Sequence, residues 1–187
     1  MTETAQILAR LDRLESKEAI RELVTAYALA CDQQDMDWLM SLFTEDAEFG
    51  SPNGTMVSVG RDAITDMFIE TFKIRGPAYH WTHDVTVTVD PNDPNRATGL
   101  VYSHAETSPN AVHSISAMRY EDVYRRENDK WRFAKRMISF LYYVPMAEYD
   151  GVLTRKDRVL MNGERFDADY PESLAAWQRF DGEHRKA

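Results

Sequence analysis

YHWTHDVTVTV, residues 79–89, decides the architecture, because here the spacing of apolar residues changes from helical to a period of two. On a strand, Trp81, Val85, Val87 and Val89 share one face, and His80, Thr82, Asp84 and Thr86 share the other. Three more long β-rich stretches follow: Ala97 to Thr107, His113 to Arg126 and Trp131 to Val144. Turn sequences at Pro91–Asn95, Ser108–Asn110 and Glu127–Asp129 separate them.

Upstream the patterns are helical. One helix is expected from about Thr4 to Leu14, with Ile7, Leu8, Leu11 and Leu14 on one stripe. A second starts near Ser16 as N-cap and carries Ile20, Leu23, Val24, Tyr27, Ala28 and Cys31 on its apolar stripe. A short helix through Asp37 to Phe43 follows, and a longer one from Arg61 to Phe72 faces inward with Ile64, Met67, Phe68 and Phe72. Short strand-like pieces, Ala47 to Gly50 and Thr55 to Val59, flank a turn at Ser51-Pro52-Asn53-Gly54. Helices first and a meander of antiparallel strands afterwards predict an α+β domain. Residues 1–145 form that domain. Residues 146–187, irregular and charged apart from a helical pattern at Pro171 to Phe180, read as a C-terminal arm packing on the domain or on a neighbouring subunit.

The composition narrows the function. Of 187 residues, 43% are hydrophobic and 28% charged, with a net charge of -9. A core is affordable, and a basic face for nucleic acid is absent. No apolar run reaches the roughly 18 residues needed to span a bilayer, and the N-terminus lacks a secretory pattern. The single cysteine excludes an internal disulfide and any multi-cysteine metal site. A cytoplasmic protein with no membrane and no nucleic-acid partner is expected. Phosphate loop, dinucleotide fingerprint and nucleophile elbow are all missing, so no cofactor is expected.

Few residues remain to carry chemistry. Cys31 lies on an apolar stripe and reads as a packing residue. His80 and His83, three apart on a strand, point to opposite faces, so no metal site is expected there. Asn53-Gly54-Thr55 is a formal glycosylation sequon, without meaning in a protein that is not secreted. Asp32 occupies the last turn of its helix, where the macrodipole disfavours a carboxylate. It either accepts backbone donors from Gln33-Gln34-Asp35 or holds a cationic or hydrogen-bonding partner. His80 raises a question of parity. If the valine face of its strand is packed, His80 points outward unless a bulge intervenes. His104, on the next strand, raises the same question.

The order of these residues resembles a known family. SKEAIRELVTAYALACDQQDMDWLMSLFTEDAEF, residues 16–49, resembles the opening of SnoaL-like proteins of the nuclear transport factor 2-like superfamily. The shared positions are Tyr27, Asp32, Trp38, Leu42-Phe43-Thr44, Asp46-Ala47 and Phe49. His80-Trp81-Thr82-His83-Asp84-Val85-Thr86-Val87 resembles the strand that carries the family's histidine. Tyr120-Glu121-Asp122 and Lys130 to Arg136 resemble its closing hairpin. The resemblance covers about Ser16 to Tyr143 and implies a cone-shaped barrel, a curved antiparallel sheet whose pocket the N-terminal helices close. Within the superfamily the chain looks closest to bile acid 7α-dehydratase, hexachlorocyclohexane dehydrochlorinase and scytalone dehydratase, which are cofactor-free lyases. Asp84 departs from the pattern, because many relatives have Asn there.

The resemblance implies Asp32 and His80 as a catalytic acid/base dyad with Tyr27 as a third member, and a bulge or strong curvature to turn His80 inward. Trp81, His83, Tyr102, His104, Phe140 and Tyr143 are the expected substrate-binding residues, and Tyr142 is a further aromatic candidate. The expectation is a cofactor-independent lyase acting by elimination on a hydrophobic, ring-bearing small molecule, in a homo-oligomer (dimer or trimer). A C–C-cleaving, deformylating lyase on lignin-derived phenolic diarylpropanes and a non-catalytic binding module are the alternatives.

Overall fold

The computed structural model describes residues 2–54, 56–161 and 163–185; Thr55, at the start of one expected strand and in the sequon, lies outside them. Helix α1 runs unbroken from Glu3 to Gln33, where two helices were expected. Nothing between Leu14 and Lys17 stops it: the segment holds no Gly or Pro, and Ser16 is buried inside the helix rather than capping one. Thr2 is the N-cap and accepts from the backbone of Ala5. The first turns project past the domain, so the Ile7, Leu8, Leu11 and Leu14 stripe is exposed. Arg126 ties this segment down through Asp12 at 2.7 Å. The stripe from Ile20 to Cys31 is buried as expected.

Helix α2 (Met36–Ser41) is followed by β1 (Phe43–Gly50), β2 (Val57–Val59), α3 (Arg61–Ile74), β3 (Tyr79–Val89), β4 (Arg96–Thr107), β5 (Ser114–Glu127) and β6 (Lys130–Pro145). Phe43, read as helical, opens β1 instead and is fully buried against Phe133 and Tyr27. The strands lie in the order β2-β1-β6-β5-β4-β3. Neighbours are antiparallel except β1 and β6, which are parallel, so the sheet is mixed where an antiparallel one was expected. Register shifts, with the extra residues in β3 and β6, bend the long strands, and the curved, open sheet wraps α1 and α3 on its concave side. This is the cone of the nuclear transport factor 2-like fold.

The arm is more ordered than its sequence suggests. Two short turns lead to a small hairpin, β7 (Val159–Met161) and β8 (Glu164–Phe166), and then to α4 (Ala175–His184). Strand β7 runs parallel to β6, with Tyr143 opposite Val159. Buried Arg158 clips the arm down: its guanidinium forks onto Glu172 at 2.7 and 2.8 Å and donates to the carbonyls of Leu141 and Tyr170. Within the chain, these contacts hold the arm against β6.

Candidate active site

The helix end builds the first half of the site. Gln34 adopts the left-handed conformation (φ 54°) and closes α1 by donating its N–H to Cys31. Asp35, not Asp32, then caps the next helix, accepting from Trp38 N at 2.9 Å. That leaves the Asp32 carboxylate to face β3. Its Oδ2 accepts the backbone N–H of His80 at 3.0 Å, and its Oδ1 meets His80 Nδ1 at 2.6 Å. The geometry thus selects the partner-holding reading of Asp32. Strand β3 is a sheet edge, so this N–H has no strand to pair with and the carboxylate satisfies it. The two side chains are only 8% and 13% exposed. A carboxylate can only accept, so Nδ1 carries a proton, and in the neutral imidazole Nε2 then keeps its lone pair.

Parity is resolved by one extra residue. Thr82 pairs with Ser103, but Val85 pairs with Val101, so β3 spends three residues where β4 spends two. His83 and Asp84 are both exposed across this bulge. His80 and Thr82 before it, and Val85, Val87 and Val89 after it, all turn toward the concave side. Asp84 carries its charge outward, away from the cavity.

His80 and Tyr27 line one cavity of about 570 Å³, a size that suits a small molecule. Its walls include Phe49, Phe68, Met67, Met118 and Phe140 from the domain, and Leu160 and Met161 from the arm. Tyr27 packs edge-on against Phe43, Phe68, Tyr120 and Phe133. Burial, with the Cys31 thiol beside it, raises its phenol well above the ordinary value, so the hydroxyl stays protonated. Burial likewise pushes Cys31 up to about 12, which makes it an inert packing residue. Under the Tyr27 and Tyr120 rings lies the Arg136 guanidinium, 4.1 and 4.0 Å from their centroids. Arg136 is fully buried and pairs with Asp122 through two bonds of 3.1 Å, while Tyr124 donates to the same carboxylate. Burial raises Asp122 against the pull of Arg136.

Of the expected lining, Phe140 and Tyr143 are in place, with their rings stacked 5.7 Å apart. Trp81, His83, Tyr102 and His104 are not. They lie on the convex face, where Trp81 is 43% exposed and packs at a tilt against Tyr79, ring centroids 4.7 Å apart. His83 Nε2 meets His104 Nδ1 at 2.9 Å, and His104 Nε2 reaches the Tyr142 hydroxyl at 3.1 Å. Alternation along β4 sends Tyr102 and His104 outward while Val101 and Ala105 are buried. His104 is held below the ordinary histidine value by partial burial and then by His83. Tyr142 is buried in a separate small cluster with Ala117, Val144 and Val152. Met56, Met67, Met118, Tyr120, Arg75, Leu160 and Met161 line the cavity without having been anticipated. Methionines read alike in a core and in a pocket wall; Arg75, directly before Gly76-Pro77 at a helix end, left the only usable signal.

The SnoaL-like domain family matches residues 12–137. No curated protein matches the sequence significantly. Among solved structures, the chain is similar to hexachlorocyclohexane dehydrochlorinase LinA-type3 from Novosphingobium barchaimii, with 20% identity, a TM-score of 0.66, and coverage of 74% of this chain and 95% of that one. A candidate scytalone dehydratase from Novosphingobium aromaticivorans is similar at 19% identity and TM-score 0.65, covering 72% and 89%. An NTF2-like protein with a cystatin-like fold from Novosphingobium aromaticivorans reaches 28% identity and TM-score 0.60, covering 75% and 92%.

Proposed function

Because the chain belongs to the SnoaL-like domain family and holds a carboxylate–imidazole pair at its cavity, we propose that it is a cofactor-independent lyase for a hydrophobic, ring-bearing small molecule. The observation that carries this reading is the 2.6 Å contact between Asp32 Oδ1 and His80 Nδ1. A purely structural histidine needs no carboxylate held by a strand-edge N–H, nor a place in the wall of a cavity.

The steps follow from the tautomer. His80 Nε2 takes a proton from a carbon next to a carbonyl or an activated ring, and Asp32 stabilises the imidazolium that forms. The C–H electron pair becomes the new π bond, and the leaving group departs with its own bonding pair. The Tyr27 hydroxyl, kept protonated by burial, donates to the oxygen or leaving group on which charge develops. The apolar walls exclude water and hold the ring system. Nuclear transport factor 2-like relatives with lyase names, the dehydrochlorinase above among them, support the same class of chemistry.

The test is a turnover screen on phenolic dimers and hydroxysteroids, followed by His80→Ala against the substrate found. Turnover should fall by about two to four orders of magnitude, the usual contribution of a positioned base. Affinity should change far less, because the walls supply the binding. Equal turnover in a variant with an unchanged melting temperature would leave a binding module as the better reading.

A further inference from the structure

Among the described residues that line the cavity there is no carboxylate and one permanent cation, Arg75. Its backbone is fixed from three sides. Arg75 N donates to Thr71 O at 3.1 Å at the end of α3, and its carbonyl accepts from Gln34 Nε2 at 3.2 Å. It also bridges to Pro109 in the β4–β5 loop. Gly76 makes that approach possible, since a Cβ there would lie 2.5 Å from Ser108 Oγ. The side chain is different: its guanidinium has no ion pair and no hydrogen bond among the described residues. The other arginines without such partners, Arg10, Arg13 and Arg179, lie on exposed helix surfaces far from the cavity. The Arg75 charge also reaches inward: after burial, it is the largest influence on the Cys31 thiol, which it lowers.

We propose that Arg75 is the anion-recognition residue of this cavity and that the substrate carries a carboxylate beside its apolar ring system. The inference rests on reading the cavity as the substrate site and narrows the class of molecule that fits it. A planar guanidinium fork matches a carboxylate by two parallel hydrogen bonds. Asp32 stands behind His80 rather than in the wall, so an anion bound beside that pair needs a cation of its own, and among the described lining residues that cation is Arg75. Methionine and aromatic walls take the rest of the molecule without demanding one shape.

Displacement of the fluorescent probe N-phenyl-1-naphthylamine by 1-naphthoate and by 1-naphthamide tests this, since the two competitors share a ring system and differ in charge. With the wild-type protein at pH 8, 1-naphthoate should compete at a concentration about ten- to a hundred-fold lower, as expected for a charge-assisted pair. Arg75→Met should abolish that preference while leaving 1-naphthamide unchanged, and Arg75→Lys should retain part of it. Equal competition in the wild-type protein, failure of 1-naphthoate to compete, or a preference that survives Arg75→Met would overturn the proposal. The wild-type comparison decides the matter even where Arg75→Met does not fold. His80→Ala still abolishing turnover after such a failure would remove Arg75 alone and leave the lyase reading intact.

Discussion

His80 and His83 stand three residues apart on β3, and both have a partner, yet they occupy opposite surroundings. On the concave side, His80 donates a hydrogen bond from Nδ1 to a nearly buried carboxylate and lines a cavity with Tyr27. On the convex side, His83 meets another imidazole at an exposed surface, with no carboxylate to fix its tautomer. Residue type is the same. What differs is the face of the strand: alternation over three residues puts them on opposite sides, and the bulge at His83 and Asp84 then returns Val85, Val87 and Val89 to the side of His80. The lesson is that a histidine in a sheet gains a carboxylate partner and a cavity through strand parity and through what the neighbouring element offers, here the end of α1.

The most forceful way to break this contrast is to remove the bulge. Deleting Asp84 restores simple alternation, so either His80 or the set Val85, Val87 and Val89 must turn to the wrong face. Exposing three valines costs roughly 5–9 kcal/mol, which is comparable to the whole stability of a domain. The deletion should yield no cooperative thermal unfolding transition, whereas Asp84→Ala, which keeps the residue count, should melt within a few degrees of wild type. A cooperative melt and full turnover in the deletion would show that parity is set elsewhere.

A smaller effect concerns the phenols under the concave face. Burial raises Tyr27 well above the ordinary value and pushes Tyr120 up to about 12, while both titrate normally once unfolded. Above pH 10 the folded protein therefore keeps protons that the unfolded chain releases, and stability falls as pH rises through that range. The loss should be on the order of 1 kcal/mol per phenol by pH 11 and absent below pH 9. Urea midpoints measured from pH 8 to 11 check it; a flat profile would mean these hydroxyls are less enclosed than the packing shows.

The smallest effect sharpens the comparison from the other side. His83→Ala removes an exposed imidazole that contacts nothing in the cavity, so turnover should stay within about twofold and stability within about 0.5 kcal/mol. A large loss of turnover would mean that the convex pair communicates with the dyad.

Much of the fold was legible because its signals are local. The change of period at residue 79, the turn sequences and the buried stripe from Ile20 to Cys31 all record one face of one element. What could not be read depended on neighbours. Ser16 looked like a cap because a cap and a buried mid-helix serine share a sequence, and only the missing helix breaker distinguishes them. Trp81 and Tyr102 looked like pocket walls, although aromatics pack on either face of a sheet and alternation along β3 and β4 put these two on the outer one. In the site, Asp32 and His80 were recoverable from their positions within a resembled pattern. Arg75 left only its place at a helix end before Gly76-Pro77, and the arm residues left nothing, since the cavity is assembled from elements far apart in sequence.

The β7–β8 hairpin gives this assembly an evolutionary consequence. Leu160 and Met161 belong to an arm that lies beyond residues 12–137, the part that the family shares, yet they form part of the cavity wall. The groups proposed to move protons and part of the cavity wall are thus encoded in separate stretches of the gene. Drift in the hairpin can change which molecules fit while α1 and β3 stay untouched, so new ligands can be sampled without rebuilding the chemistry.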